Sequence, residues 1–185
     1  MQEKLVGHHS TSLRIAEAIV RGDSKFLSNK TEADWLGTGI YFWFDNVPRA
    51  REWKKNTIRE KRAVIECVID MGNSLNINNH HHQEYLKDAY RFLTMRVMDE
   101  NFILEENIDN AAGKPIEKRL DCQVIDTVHY LRRMRREPQF DTVYSVFTSG
   151  EPIHPGSSFQ KNSHLQICVL TLGSIAESKI VWIGD

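Results

Sequence analysis

The chain has 185 residues, of which 41% are hydrophobic and 26% are charged, and its formal net charge is −1. This composition supports a hydrophobic core, and the length predicts a single domain over residues 1–185. The near-neutral charge excludes a general attraction to nucleic acids or anionic membranes, although a local basic patch stays open. No apolar run approaches the roughly 20 residues of a membrane helix and no signal peptide is visible, so we expect a cytoplasmic protein without a membrane partner.

The amino-terminal part of the chain alternates between strand and helix patterns. Hydrophobic spacing and turn residues predict the following elements, in order: a strand at 4–6 that ends in a polar turn at 8–12, a helix at 13–21 between an N-cap at Ser12 and a stop at Gly22, a loop at 23–38, a buried strand at 39–44, and a helix from Pro48 to about Lys55.

The rest of the chain places helices in the middle and strands at the end. The same signals predict a strand at 62–70, a turn at 72–73, helices at 80–99 and 118–136 around an irregular segment at 100–117, a strand at 141–148, a loop at 149–162, and strands at 164–172 and 180–183. This order indicates an α+β fold with a helical insertion at about 80–137, because a doubly wound sheet would alternate strands and helices throughout.

Several familiar enzyme motifs are absent. The sequence contains no GxGxxG, Walker, HExxH or GxSxG pattern, which disfavours those classes. The run His80-His81-His82 could bind a metal, but three adjacent histidines cannot all face one ion and no cysteine or carboxylate completes a tetrahedral set nearby. We therefore expect exposed histidines before a helix, and no metal. The three cysteines, odd in number and without a CxxC pair, indicate reduced structural thiols.

Three segments carry the remaining chemical signal. They are His9-Ser10-Thr11 near the start, Gly37-Thr38-Gly39-Ile40-Tyr41-Phe42, and the late strand segment Ser163–Val169. In order and spacing these segments resemble the ADP-ribosyltransferase superfamily, and within it the His-Tyr branch that includes diphtheria-like toxins and poly(ADP-ribose) polymerases. The resemblance implies a split β-sandwich of two small, mostly antiparallel sheets with flanking and inserted helices, and it implies NAD⁺ as the co-substrate.

The resemblance assigns the NAD⁺ contacts to the first two segments. His9 matches the histidine that hydrogen-bonds a ribose, and the main chain at Ser10, where the family usually has glycine, would bind the nicotinamide amide together with Thr11. Tyr41 matches the tyrosine that stacks on the nicotinamide ring, and Gly39 allows close approach of the backbone. Cleavage of the nicotinamide–ribose bond passes through an oxocarbenium-like transition state, so these contacts must grip the nicotinamide and hold the ribose.

The third catalytic position is a departure from the family pattern. Toxins and polymerases commonly have a glutamate there, whereas alignment of the late strand places Gln166 at this position and His164 two residues earlier, on the same strand face. By the resemblance, Gln166 would contact the NAD⁺ ribose and His164 would act on the acceptor side. Glu151 in the preceding loop is an alternative acid. A neutral glutamine favours transfer of a single ADP-ribose over chain elongation.

Two groups of residues are candidates for acceptor recognition. Phe159 and Lys161 lie in the loop 149–162, which occupies the target-recognition position of the family. Arg132 and Arg133 begin a run of cations that slightly favours RNA or DNA as acceptor through phosphate contacts. The alternative reading of that run is ordinary, because cations stabilise the carboxyl end of a helix.

The resemblance thus implies an NAD-dependent mono-ADP-ribosyltransferase that modifies an intracellular macromolecule. Transferases of this size and branch often serve as toxins of toxin–antitoxin or phage-defence systems, so the resemblance also implies an antitoxin partner. Three alternatives stay open: a protein-modifying transferase, an NAD glycohydrolase that uses water as acceptor, and an inactive module that binds NAD⁺ or ADP-ribose.

Overall fold

The computed structural model describes residues 3–28, 31, 34–53, 58–98, 101–109 and 115–184. Their elements, in chain order, are β1 (Lys4–Ser12), α1 (Leu13–Arg21), β2 (Ile40–Phe44), α2 (Val47–Glu52), β3 (Arg62–Asp70), β4 (Ser74–Asn76), α3 (His80–Arg96), β5 (Asn107–Asp109), β6 (Pro115–Lys118), α4 (Arg119–Met134), β7 (Thr142–Phe147), β8 (His164–Val169), a single 3₁₀ turn (Leu172–Ser174) and β9 (Ile175–Gly184).

Seven of the described strands form one mixed sheet in the order β4-β7-β8-β2-β1-β3-β9, while β5 and β6 form a separate antiparallel pair. Only β4 and β7 run parallel; the other neighbours in the large sheet are antiparallel. The predicted α+β class is confirmed. The predicted division into two small sheets is not found, because the two halves are joined between β1 and β2 at the pairs Gly7–Phe44 and His8–Trp43.

Each face of the large sheet buries a hydrophobic cluster. On one face, Ala16 of α1 and Phe26 pack on Ile40, Phe42 and the strand residues beside them. On the other face, α3 and α4 pack together over β7 and β8 through a cluster of Ala89, Leu93, Val124, Ile125, Val128, Val143 and Cys168. On this same face α2 covers the β1–β3 side, where Ala50 packs on Trp43 and Val64. The three cysteines are buried and unbridged among the described residues.

The structure corrects several predicted boundaries. Residues 8–12 are not a polar turn, because every residue of β1 from Lys4 to Ser12 pairs with β3, and this long-range pairing extends the strand through its polar half. The segment 100–117 is not wholly irregular, since it contains β5 and all of β6 except Lys118. β4 was not predicted, because a three-residue edge strand has no hydrophobic period to detect. The predicted helix ends at Lys55 and Asp99 lie outside the described residues.

Of three further local predictions, the helix stop at Gly22 is confirmed, the N-cap at Ser12 is confirmed in position only, and the placement of the histidine run before a helix is wrong. Gly22 ends α1 in the left-handed conformation, with a φ of 81°. Ser12 occupies the N-cap of that helix, but its side chain makes no capping hydrogen bond, and the first helical N–H, that of Leu13, donates to the carbonyl of Lys61 at 2.7 Å. The run His80-His81-His82 forms the first turn of α3 rather than preceding it, and His82 Nδ1 accepts a hydrogen bond from the Asn76 N–H at 2.9 Å.

Candidate functional site

A cleft lies in the fork between β1 and β2. These antiparallel strands pair only at Gly7–Phe44 and His8–Trp43, so residues 9–12 and 40–42, which would continue the ladder, diverge from each other. The fork encloses a cleft of about 330 Å³. Its lining includes the five residues that the resemblance assigns to NAD⁺, which are His9, Ser10, Thr11, Gly39 and Tyr41. The unpaired edges of the two strands present main-chain N–H and C=O groups to this space.

His9 bridges the fork where the backbone ladder stops. Its Nδ1 lies 2.9 Å from the main-chain oxygen of Tyr41. Because a carbonyl oxygen only accepts, Nδ1 carries the proton of this hydrogen bond. The rings of Phe26 and Phe42 lie 5.4 and 5.5 Å from the His9 ring. The imidazole is therefore held in one orientation on the cleft wall.

Tyr41 lies on the opposite sheet face from His9, and its hydroxyl is fully engaged with the preceding loop. The hydroxyl donates to the Gly37 carbonyl and accepts from the Leu36 N–H, both at 2.8 Å. Burial raises the pKa of the phenol far above its ordinary value, so the group stays neutral. Gly37 adopts a φ of 84°, a conformation that glycine tolerates best. The hydroxyl thus shapes the loop before β2, the side chain packs against the cluster beneath α3 and α4, and the residue as a whole contributes to the lining of the cleft.

Gly39 is required by the close approach of β8. A Cβ at this position would collide with the sulfur of Cys168 and would lie 2.8 Å from the carbonyl oxygen of Val169. The glycine therefore lets the chain enter β2 directly against β8. This packing brings the loop before β2 to the rim of the cleft.

Three buried polar atoms at the cleft have no hydrogen-bond partner among the described residues. They are Ser10 Oγ, Ser12 Oγ and the indole Nε1 of Trp43. All three side chains line the cleft, as does Trp53, whose ring centre lies 5.3 Å from that of Trp43. Buried polar atoms are normally hydrogen-bonded, so a cluster of unpartnered ones indicates a place that a ligand or water completes. Sequence reasoning interpreted Trp43 as core or pocket wall and Ser12 only as an N-cap, because only the fork brings the Ser12 hydroxyl to the cleft.

Gln166 lies on β8 directly opposite Trp43 of β2, one strand away from the cleft wall. It is buried and does not line the cleft itself. The indole N–H of Trp35 donates to its Oε1 at 2.5 Å. Since the oxygen accepts from Trp35, the amide nitrogen is left as the donor of this side chain. Trp35 is distant from Gln166 along the chain, so no local pattern in the sequence signals this contact.

His164 begins β8, two residues before Gln166 and on the same face. It is 7% exposed, and its Nδ1 lies 2.6 Å from the main-chain oxygen of Asn162. Its Nε2 is buried without a partner among the described residues. Burial, with a smaller effect of the Arg49 charge, lowers the pKa of this imidazole, although the Asn162 carbonyl acts in the opposite direction.

The predicted recognition loop 149–162 forms a short, exposed hairpin-like hook beside His164. The Ile153 N–H donates to the Phe159 carbonyl and the Lys161 N–H donates to the Glu151 carbonyl, at 3.0 and 2.9 Å. Phe159 is 74% exposed, and the Lys161 ammonium lies 3.9 Å from the Glu151 carboxylate. Glu151, Phe159 and Lys161 are outside the lining of the cleft. Their assignment to acceptor recognition stays a prediction.

The predicted basic patch on α4 needs a correction at Arg132. This residue is only 8% exposed, its Nε donates to the Pro138 carbonyl at 2.8 Å, and its Nη1 lies 3.1 Å from Glu137. Its guanidinium also stacks over the Phe140 ring, 4.2 Å from the centroid. Arg132 therefore holds the turn after α4 and is not available to a phosphate. Arg133 remains exposed.

Two kinds of feature are absent from the residues that the structure describes. Within them no group of three or more histidine, cysteine, aspartate or glutamate side chains is arranged to hold a metal ion. Within the same part of the chain, no helix combines the length and apolar character needed to cross a membrane.

No protein-family model matches the sequence, and no curated protein is found to be similar to it.

Proposed function

We propose that the protein is an NAD-dependent mono-ADP-ribosyltransferase. The observation that supports this proposal best is the fork, because the residues matched by the resemblance come from two separate segments of the sequence and line a single cleft. His9 also spans the two segments through its hydrogen bond to the Tyr41 carbonyl.

The cleft suits one half of an NAD⁺ molecule. Small-molecule sites have volumes of roughly 300–1,000 Å³, so about 330 Å³ corresponds to the nicotinamide–ribose half, with the adenosine half extending along the surface. The aromatic walls contributed by Tyr41, Trp43 and Trp53 match a flat heteroaromatic ring. The unpartnered hydroxyls of Ser10 and Ser12 and the Trp43 indole N–H are suited to polar ligand groups. When bound, NAD⁺ would supply a ribose carbon activated by a good leaving group.

Different side chains of the cleft would bind the ribose, bind the nicotinamide and exclude water. The His9 imidazole would hydrogen-bond a ribose hydroxyl, and the Tyr41 ring would pack on the nicotinamide. Phe26, Trp43 and Trp53 would exclude water and so limit hydrolysis. Gln166 pairs with Trp43 and lies outside the cleft lining, so its proposed contact, from the amide N–H left free of Trp35 to a ribose hydroxyl, requires a ligand that extends past Trp43. A neutral amide stabilises a developing cation less than a carboxylate does, which favours a single transfer.

The test is the fate of NAD⁺ labelled in its adenylate phosphate. The purified protein would be incubated with this probe and a cell extract, which is then separated into RNA, DNA and protein. We expect His9→Ala and Tyr41→Ala to lower labelling by 100-fold or more, on the order of the effect of misplacing a reactant. His81→Ala is the matched control, because this histidine is exposed on α3. Labelling that is unchanged in His9→Ala would overturn the assignment of the cleft.

Two alternatives have distinct outcomes in the same assay. Release of nicotinamide without labelling of any fraction identifies a glycohydrolase. Binding of NAD⁺ without release of nicotinamide identifies an inactive binding module, an alternative that the glutamine at position 166 specifically favours. Absence of both binding and turnover contradicts the whole proposal.

A role as a toxin with a cognate antitoxin follows from the resemblance and belongs to the same proposal. Induced expression of the chain should then arrest cell growth, whereas His9→Ala at the same protein level should not. Equal growth arrest by both proteins would show that toxicity does not depend on the cleft.

A further inference from the structure

We infer that Asp126 of α4 is a positioning residue for the cleft, because its carboxylate holds the turn 37–39 that leads into β2. This inference rests on the proposed transferase function and deepens it, since it gives the helical insertion a part in the binding of NAD⁺. Asp126 lies outside the segments matched by the resemblance and outside the lining of the cleft. It would therefore act through the residues that it holds.

Thr38, the middle residue of the turn, makes two hydrogen bonds to Asp126. Its main-chain N–H donates to Oδ1 at 2.7 Å, and its hydroxyl donates to Oδ2 at 2.8 Å. Hydrogen bonds to an ionised carboxylate are roughly twice as strong as those between neutral groups. Because both bonds leave one residue and end on one carboxylate, they fix the orientation of Thr38 as well as its position.

Gly37, the first residue of the turn, lies directly against the same helix. It adopts a φ of 84°, and a Cβ at this position would lie 2.7 Å from Cγ2 of Ile125 and 3.0 Å from Oδ1 of Asp126. Either the turn or α4 would have to shift to make room for such a side chain. The helix therefore supports the turn by close backbone packing as well as by the hydrogen bonds of Asp126.

The turn needs such support because its own residues do little to fix it. Two of its three residues are glycine, which loses more conformational freedom on ordering than any other residue. Thr38 is exposed to solvent, so burial of its side chain contributes little. Contacts with other parts of the fold must therefore order the turn, and Asp126 supplies two of them at its middle residue.

The turn is joined to two residues that line the cleft. Gly39 follows Thr38 directly, and the Tyr41 hydroxyl donates to the Gly37 carbonyl at 2.8 Å. Both Gly39 and Tyr41 belong to the lining of the cleft. Because consecutive Cα atoms are only about 3.8 Å apart, a shift of Thr38 moves Gly39 with it. The contact with α4 therefore helps to place two of the proposed NAD⁺-binding residues.

A positioning role and a purely structural role differ in their kinetic consequences. A substitution that only destabilises the fold lowers the amount of active protein, so the apparent kcat falls while KM stays unchanged. A substitution that displaces Gly39 and Tyr41 weakens the NAD⁺ contacts of the folded protein, so KM rises. Misplacement of a reactant by about 1 Å can also cost about 100-fold in rate.

The release of nicotinamide from NAD⁺ by Asp126→Ala and Asp126→Asn tests this role. Alanine removes both acceptors of Thr38, and we expect KM to rise about 10-fold or more. Asparagine keeps both contacts, because its oxygen can accept from the Thr38 N–H and its amide nitrogen can donate to the Thr38 hydroxyl oxygen. We therefore expect Asp126→Asn to stay within about 3-fold of the wild-type KM.

Two further variants complete the comparison. Thr38→Val removes only the hydroxyl, so KM should rise by about 3-fold, and it should add nothing to the effect of Asp126→Ala. This variant keeps the test decisive if Asp126→Ala does not fold. Asp121→Ala is the matched control, because this carboxylate lies on the same helix, contacts Lys118 at 3.7 Å and is outside the cleft lining. Its KM should equal that of wild type.

The outcomes separate this inference from the proposed function. An unchanged KM in Asp126→Ala, with a rate lowered only in proportion to the folded fraction seen by circular dichroism, overturns the inference and leaves the transferase intact. Equal increases of KM in the alanine and asparagine variants also overturn it, because the charge and not the turn would then matter. If wild type binds NAD⁺ without turnover, the dissociation constants from calorimetry replace KM in the same comparison. If wild type neither binds nor cleaves NAD⁺, the proposed function fails and the inference falls with it.

Discussion

Functional residues were predicted both on the strands around the fork and on helix α4. The two regions differ in whether their buried polar groups have hydrogen-bond partners. On α4 the most buried cation, Arg132, is satisfied internally by Pro138 and Glu137. Around the fork and at the start of β8, neutral groups such as Ser12 Oγ and His164 Nε2 are buried without partners among the described residues. The charged residue predicted to bind phosphate, Arg132, therefore makes a structural contact. The candidate site is instead indicated by buried neutral atoms without partners.

The largest expected effect on stability concerns His129, which is the one residue of α4 in this comparison whose buried side-chain nitrogen lacks a partner among the described residues. Burial lowers the pKa of this imidazole to about 4, and its Nε2 has no partner among the described residues. Because the unfolded chain takes up the proton near the ordinary pKa of about 6.5, stability should fall as the pH decreases from about 6.5 to about 4, by about 3 kcal/mol in total. Urea unfolding at pH 7 and at about pH 4.5 measures this loss.

His129→Gln is the control for that measurement, because glutamine does not titrate. Carboxylates also titrate over this range, so the informative quantity is the difference in the pH dependence of unfolding free energy between the two proteins. Identical pH dependence in wild type and His129→Gln would show that the buried imidazole is protonated as readily in the folded state as in the unfolded one.

Two further variants compare how much two adjacent arginines contribute to stability. Arg132→Ala removes the hydrogen bonds of a guanidinium to the chain after α4 and should lower the unfolding free energy by about 1.5–3 kcal/mol. Arg133→Ala, at an exposed position, should change it by less than about 0.5 kcal/mol. Equal urea midpoints for the two variants would place both side chains on the surface and restore the basic patch.

The smallest expected effect is that of Ser12→Ala on stability. Here we do not expect the destabilisation that usually follows replacement of an N-cap serine. Replacement of an N-cap serine by alanine ordinarily destabilises a protein by about 0.5–2 kcal/mol. Here the hydroxyl makes no capping bond and is buried without a described partner, so Ser12→Ala should be neutral or stabilising by up to about 1 kcal/mol. NAD⁺ binding should weaken if the hydroxyl serves the ligand. A measurable loss of stability in urea unfolding, without a change in NAD⁺ affinity, would indicate that Ser12 is structural.

Elements with a strong local signal were predictable. Hydrophobic spacing places α1, α3 and α4 close to their observed positions, because each has an amphipathic face and clear end residues. The polar half of β1 was missed, since only its pairing with β3 makes it a strand. Arg132 was misread for a related reason: its burial depends on Phe140 and Pro138, which fold back onto the helix after it ends.

By itself the sequence determined the α+β class, the helices and the two motifs that line the cleft, because spacing along the chain encodes local conformation and because short motifs keep their side chains together. Only the tertiary structure decided that β1 and β2 part after two residue pairs, that Trp35 meets Gln166 and that Thr38 meets Asp126. These are contacts of sheet order and loop closure, set by the packing of distant segments, and no local pattern specifies them.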